Sequence, residues 1–225
     1  MTIPIKIISA KELDEKPNQE EVWDKIAAPW KTYVVKKIPI VVEFLENKNG
    51  RILDLGCGNG RNMIPIKGIS YYGVDFSKGQ LEHAKKAIKR DKLDAKLFQS
   101  KIDKLPKEFE NEMFDYGLFM ASLHCLESEK EREQALKEFY RILKPNAEAL
   151  ISVWNAEDKR FNGLRGGIYL SWKEDNIPYM RYYYLYDKQE FIQLLESVGF
   201  KILEVYDKRE GDRFSKKNFV VRVER

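Results

Sequence analysis

The chain has 225 residues, with 40 lysines and arginines against 36 aspartates and glutamates, for a net charge of only +4. That length buries a sizeable core in one large domain without covalent staples. The two cysteines, Cys57 and Cys125, lack framework spacing, which argues against a disulfide scaffold or a metal site built by this chain alone, and no apolar run approaches the roughly 20 residues of a membrane span.

The first residues do not read as a signal peptide: Lys6 interrupts the apolar start and Glu12-Leu-Asp-Glu15 follows. A cytoplasmic, reducing location is the expectation. Residues 1–18 read as a loosely packed arm ending in Lys16-Pro-Asn18. A helical period then puts Val22, Ile26 and Ala27 on one face, and a second helix is predicted over Pro39–Glu46, stopped by Asn47-Lys-Asn-Gly50. Residues 1–50 are therefore expected to form an arm and helices covering a site in the core, residues 51–225.

From residue 51 strands and helices alternate. Strand Arg51–Leu55 enters a glycine turn and a helix near Asn62–Ile66, and strand Ser70–Val74 follows. Ser77 and Gln80 fit a capping box for helix Lys78–Arg90. Strand Ala95–Gln99, a loop through Asp103 and Leu105-Pro106, strand Phe114–Met120, helix Glu129–Leu143 and strand Ala147–Trp154 continue the pattern. Such alternation predicts an α/β fold: a mostly parallel sheet with helices on both faces. Residues 155–181 break it. They are rich in aromatics and glycine and follow a strand's carboxyl end, where open α/β sheets place their sites, so they read as a substrate-facing insertion. Helix Lys188–Val198 and strands Phe200–Val205 and Asn218–Val223 close the chain, the last two as an antiparallel edge. Basic excess gathers in Lys85–Lys104 and Lys208–Arg225, compatible with nucleic acid or with a solvated surface.

The chemistry starts at Asp54-Leu-Gly-Cys-Gly-Asn-Gly60. Glycines allow a sharp turn and close approach of backbone to ligand, and a carboxylate one strand later, Asp75, is placed to accept from both ribose hydroxyls of a nucleoside cofactor. The spacing Gly56-x-Gly58-x-Gly60 puts Arg61 where a dinucleotide fingerprint has its last glycine, which disfavours NAD. Asp54 is placed to orient the turn or a cationic ligand end. Cys57 and Phe76 flank these groups, and Asp103 is a candidate acceptor for an exocyclic amine.

These segments resemble the class I S-adenosylmethionine (SAM)-dependent methyltransferases. Asp54–Gly60 looks like their first motif, Gly73-Val-Asp-Phe-Ser77 like the second, and Phe114-Asp-Tyr-Gly-Leu118 and Arg141-Ile-Leu-Lys-Pro145 with Glu148–Ser152 like later ones. The resemblance covers about residues 20–154. It implies a Rossmann-like seven-stranded sheet with an antiparallel last strand and SAM as cofactor, held by Asp54, Gly56, Cys57, Gly58, Gly60, Asp75, Phe76 and Asp103.

Finer segments are similar to the tRNA wobble-uridine methyltransferases, which esterify 5-carboxymethyluridine: Val22-Trp-Asp-Lys-Ile-Ala27, Ala121-Ser-Leu-His124, Glu148-Ala-Leu-Ile-Ser-Val-Trp154 and Arg181-Tyr-Tyr183. The chain departs from that family where its Thr-Arg-Tyr arginine falls at about Val34, and where paired histidines become His124-Cys125. The resemblance implies a tRNA substrate and a small zinc-ribbon activator that pairs along a sheet edge. Within this reading Arg181 selects the carboxylate, His124 donates a hydrogen bond to the acceptor, Trp154 stacks on a base or belongs to the core, and Tyr182 lines the acceptor pocket. Alternatives are methylation of a small molecule, with the insertion as a hydrophobic lid, and a non-catalytic SAM-binding subunit.

Overall fold

Successive residues of the central strands send their side chains to opposite sides of one sheet, and both sides are apolar. In β2 (Gly50–Leu55), Ile52 joins the core on one face and Leu53 the core on the other. In β6 (Leu143–Trp154), Leu150 and Ile151 divide in the same way. The remaining strands of this sheet are β3 (Ile69–Asp75), β4 (Ala95–Gln99), β5 (Phe114–Met120), β9 (Lys201–Tyr206) and β10 (Asn218–Glu224). The computed structural model describes residues 6–33, 36–174, 177–206 and 212–225. Its seven-stranded sheet has the order β4-β3-β2-β5-β6-β10-β9. Pairing is parallel from β4 through β6, and β10 runs antiparallel to both of its neighbours. This is the Rossmann-like arrangement with an antiparallel last strand that the sequence predicts.

Helices α3 (Pro39–Leu45) and α4 (Lys78–Asp91) supply Val41, Phe44 and Leu81 to one core. Helices α5 (Glu129–Ile142) and α6 (Lys188–Val198) supply Phe139, Ile142, Phe191 and Leu195 to the other. Helix α5 rides close on β5 because Gly117 leaves space: a Cβ there would lie 2.4 Å from Phe139 Cζ. Two short helices, α1 (Gln19–Lys25) and α2 (Ala27–Tyr33), meet at Ile26 and bury Val22, Ile26 and Ala27. The position near Val34 where the resembled family carries an arginine lies outside the described residues.

Two expectations differ from the structure. The stretch Asn62–Ile66 leaves a turn at Asn62 and continues as irregular backbone rather than a helix. Only eight residues separate Gly60 from β3, and they include Pro65 and Gly68, so no full helical ladder can be completed. The arm is anchored. Its strand β1 (Ile7–Ser9) pairs antiparallel with β7 (Gly166–Glu174), which pairs with β8 (Ile177–Leu185) in a separate three-stranded sheet. The expected insertion, residues 155–181, thus holds a 3-10 turn, all of β7 and the first half of β8. This small sheet packs through Ile168, Leu170, Tyr183 and Leu185 onto Ala156 and Phe161, beyond the carboxyl end of β6. Among the described residues no helix is long and apolar enough to cross a membrane.

Replacing Gly117 by alanine forces Phe139 to move in a close-packed core, a change that costs about 1–3 kcal/mol. Urea unfolding is expected to show a lower midpoint with an unchanged slope; an unchanged midpoint would mean that α5 shifts without cost.

Candidate functional site

At the carboxyl ends of β2 and β3 the chain must turn twice within a small space. After Leu55 the backbone takes left-handed φ at Gly56 (72°), Gly58 (51°) and Gly60 (76°), a region that side-chain-bearing residues avoid. At Gly56 the constraint is also steric, since a Cβ would lie 2.4 Å from both Cβ and Oγ of Ser122. The Gly56 and Cys57 N–H groups donate to the Val74 carbonyl, and the Gly58 N–H donates to Asp75 Oδ2 at 2.8 Å. Asp75 Oδ1 accepts from the Ser77 N–H at 2.9 Å. One carboxylate therefore ties the glycine turn to the start of α4 and keeps lone pairs for a ligand.

A cleft opens over this turn. Its walls include Gly56, Cys57, Gly58, Asp75 and Phe76 from the turns, Ile102 from the loop after β4, and Met120, Ala121 and Ser122 from the end of β5. Ala121 has a left-handed φ of 56° without being glycine, and its N–H is held by the Ser152 carbonyl and hydroxyl. Helices α1 and α2 add Trp23 and Trp30, which meet edge to face at 5.2 Å. Neither tryptophan is singled out by the sequence; for Trp23 the signal was available in the Val22-Trp-Asp segment.

The cleft's polar groups are incompletely paired among the described residues. Gln80 is buried with both side-chain ends unpaired. Ser77 caps α4 by accepting from the Gln80 N–H, but the Gln80 side chain does not return the bond and lines the cleft, so only half the expected capping box forms. Asn62 donates to Asp54 Oδ1 at 3.4 Å and leaves its own Oδ1 unpaired, as is Asp54 Oδ2. Asp103 is buried beside the cleft residue Ile102, with Oδ1 unpaired. Burial pushes the Asp54 carboxyl up to about 7 against the hydrogen bond from Asn62, and the Asp75 carboxyl up to about 6 against the Ser77 and Gly58 N–H groups. Burial also pulls Arg61, on the cleft wall, down to about 10, with Asp54 opposing. Unpaired acceptors beside an open cradle fit a ligand that brings hydroxyl, amine and cationic groups, as SAM does. Asp75, Phe76, Asn62 and Ile102 line this cleft, whereas Asp54 lies buried behind Asn62 and Asp103 next to Ile102.

The acceptor-side candidates fall in a different layer. Arg181 is buried, its Nη1 donates to the Tyr183 hydroxyl at 2.9 Å, and its Nε is unpaired. Its guanidinium carbon lies 5.1–5.9 Å from the ring centres of Trp23, Trp30, Trp172 and Tyr183. Among the described residues no acidic side chain pairs with it. Because Trp23 and Trp30 also line the cleft, the cation sits one aromatic layer behind the cleft wall. His124 is fully buried, stacks on Trp154 at 5.3 Å and lies 5.6 Å from Tyr183; burial pulls its imidazole down to about 3 and both ring nitrogens lack partners. It is not on the cleft wall, although its neighbour Cys125 is.

Trp154 is enclosed by rings of its own chain, Tyr183 at 3.9 Å and Phe161 at 5.5 Å, with Arg160 over it at 5.2 Å. It is not a free platform for a base. Tyr182 is not brought to this cluster: strand parity turns it away from Arg181 and Tyr183, onto Tyr169, whose hydroxyl donates to Glu127. Tyr183 is the member of the Arg181-Tyr-Tyr183 run that shares the arginine's face.

The titrations set a sign for binding. The unfolded carboxyls ionise near 4 and the folded ones near 6 and 7, so the ligand-free fold loses stability as pH rises through that window. A ligand that needs the ionised Asp75 gains affinity over the same interval and releases protons. For S-adenosylhomocysteine the expectation is binding about tenfold weaker at pH 5 than at pH 7.5 from Asp75 alone, with proton uptake by buffer detectable calorimetrically. Asp75→Ala is expected to abolish this binding and leave the thermal transition intact; retained affinity would remove Asp75 from the site.

A family profile described as a methyltransferase domain matches residues 53–151. The chain is 33% identical over 171 residues to a protein of Encephalitozoon cuniculi named as a methyltransferase, covering 72% of this chain and 76% of that one. It is 29% identical over 214 residues to the tRNA (carboxymethyluridine(34)-5-O)-methyltransferase of Schizosaccharomyces pombe, covering 82% and 89%. Its fold matches a SAM-dependent methyltransferase of Methanosarcina mazei with a TM-score of 0.67 at 22% identity, over 85% of this chain and 99% of the other. The chain belongs to the class I S-adenosylmethionine-dependent methyltransferases.

Proposed function

We propose that the enzyme methylates a carboxylate, and specifically that of 5-carboxymethyluridine at the wobble position of tRNA, to give a methyl ester. The observation that carries this reading is Arg181: a buried guanidinium without an acidic partner among the described residues, one aromatic layer from the cofactor cleft. An unpaired buried cation costs several kcal/mol, and such a cost is expected where an anion arrives during function. Guanidinium matches carboxylate in a bidentate geometry. The name of the S. pombe relative supports the same acceptor.

The surroundings suit an acceptor that is already ionised. When bound, SAM supplies an electrophilic methyl group on a sulfonium. A carboxylate is an anion near neutral pH and needs no general base. His124, held near 3 by burial, is too weak a base to activate an amine or a phenol, and the Tyr183 hydroxyl is pushed far up by burial and stays protonated. What the protein then contributes is alignment and exclusion of water, for which Trp23, Trp30, Met120 and Leu126 line the cleft. His124, Trp154 and Tyr183 act in this reading as a rigid aromatic stack behind Arg181, and Tyr182 as the opposite face of the same strand. A zinc-ribbon activator and a cytoplasmic location belong to this proposal through the family resemblance.

Incubation with labelled SAM and bulk tRNA, with and without such an activator, is expected to put alkali-labile label into tRNA; label that enters only a pool of small metabolites would sink the proposal and favour a small-molecule acceptor. Arg181→Met is expected to lower kcat/KM for tRNA about 100-fold, in line with truncation of one partner of a buried charge pair. The same variant is expected to unfold at the same or a higher temperature, because it removes an unpaired buried charge. A clear loss of stability would instead mark Arg181 as a scaffold residue.

A further inference from the structure

Asp24 is a polar residue that neither the cofactor motifs nor the proposed acceptor chemistry uses, yet its carboxylate reaches across to another helix. Asp24 Oδ1 accepts from the Ser77 hydroxyl at 2.5 Å and from the Gly79 N–H at 3.1 Å. Those donors stand at the cap and in the first turn of α4, a 14-residue helix, where the N–H groups have no partner within the helix and a negative charge is favoured. Ser77 is two residues beyond Asp75, and its own N–H donates to Asp75 Oδ1. A chain of hydrogen bonds thus runs from the glycine turn through Asp75 and Ser77 to α1.

The same contact is close in shape. A Cβ on Gly79 would lie 2.9 Å from Ala27 Cβ and 3.4 Å from the Asp24 carbonyl oxygen, so α1 and α2 approach α4 as nearly as a glycine permits. These two helices carry Trp23 and Trp30, which line the cofactor cleft on one side and surround Arg181 on the other. Their attachment to α4 therefore sets the position of a wall that two sites share.

We infer that Asp24 is a positioning residue that latches the N-terminal helix pair onto the first turn of α4 and so fixes the tryptophan wall over the cofactor. The two bonds account for the effect, and the charge is secondary: an asparagine side chain presents the same oxygen to the same donors. The inference rests on the assignment of the cleft to SAM and is independent of the acceptor.

The test is calorimetric binding of S-adenosylhomocysteine to the full chain. Asp24→Ala is expected to weaken binding about tenfold, equivalent to ~1.4 kcal/mol, while Asp24→Asn stays within about twofold of the wild type. Gly79→Ala disturbs the contact from the other side with the Asp24 side chain retained, and is expected to weaken binding in the same direction with Asp75 intact. Wild-type affinity in both Asp24→Ala and Gly79→Ala would overturn the latch. So would an Asp24→Asn variant as weak as Asp24→Ala, since that result would assign the effect to charge. If Asp24→Ala does not fold, Gly79→Ala and Asp24→Asn decide the matter by the same criteria.

Discussion

The site depends on a single desolvated carboxylate held by two backbone N–H groups. Asp75 receives one bond from the glycine turn and one from the start of α4, and burial still raises its pKa to about 6. The two bonds are enough to orient the group and too few to satisfy it. Around it Asp54, Asn62, Gln80 and Asp103 repeat the pattern, each buried with at least one unpaired atom among the described residues. Buried polar groups in a stable fold normally find partners. Asn62 and Gln80 line the same cleft as Asp75, with Asp54 bonded behind Asn62, so the fold builds the complement of a polar ligand and leaves the final bonds to that ligand. The parallel sheet makes this possible, because β2 and β3 deliver their carboxyl ends side by side, in register from Gly50 and Ile69 onward.

The opposite wall is built on different physics. There the polar density is low, and aromatic rings from α1, α2, β7 and β8 meet around one cation. The separate three-stranded sheet exists to hold that wall: β8 presents Arg181 and Tyr183 on one face, and its other face is occupied by packing against Tyr169. Gln19, at the start of α1, accepts from the Tyr182 N–H and donates to the Met180 carbonyl. The helix pair is thereby fixed to β8 at one end and to α4 at the other, and the cleft lies between the two attachments.

How much of this could be read in advance follows from the range of the interactions. The strand and helix spans of the core were legible because alternation and capping are local: Ser77 before α4, Asp187 before α6 and Gly199 after it announce boundaries by residue type. The glycine turn was legible because few residue types can perform its task; positive φ with no room for a Cβ beside Ser122 demands glycine. The helix expected near Asn62 was a misreading of a short segment in which Pro65 and Gly68 outweigh apolar spacing. The aromatic wall around Arg181 was less legible because it is assembled from residues 23, 30, 172, 181 and 183, which only the tertiary fold brings together. Tyr182 and Tyr183 are chemically equal in sequence, and once residues 181–183 are extended, strand parity alone puts Tyr183 on the arginine's face and Tyr182 on the other.

A buried arginine is usually neutralised by a carboxylate, and the consequence of omitting one here can be followed physically. An aspartate or glutamate beside Arg181 would have stabilised the folded state and cancelled the field that the cation projects toward the cleft. Four aromatic rings offer partial compensation instead, on the order of 0.5–2 kcal/mol each, against a desolvation penalty of several kcal/mol. The charge is therefore kept rather than cancelled, and the low dielectric of the surrounding rings extends its reach.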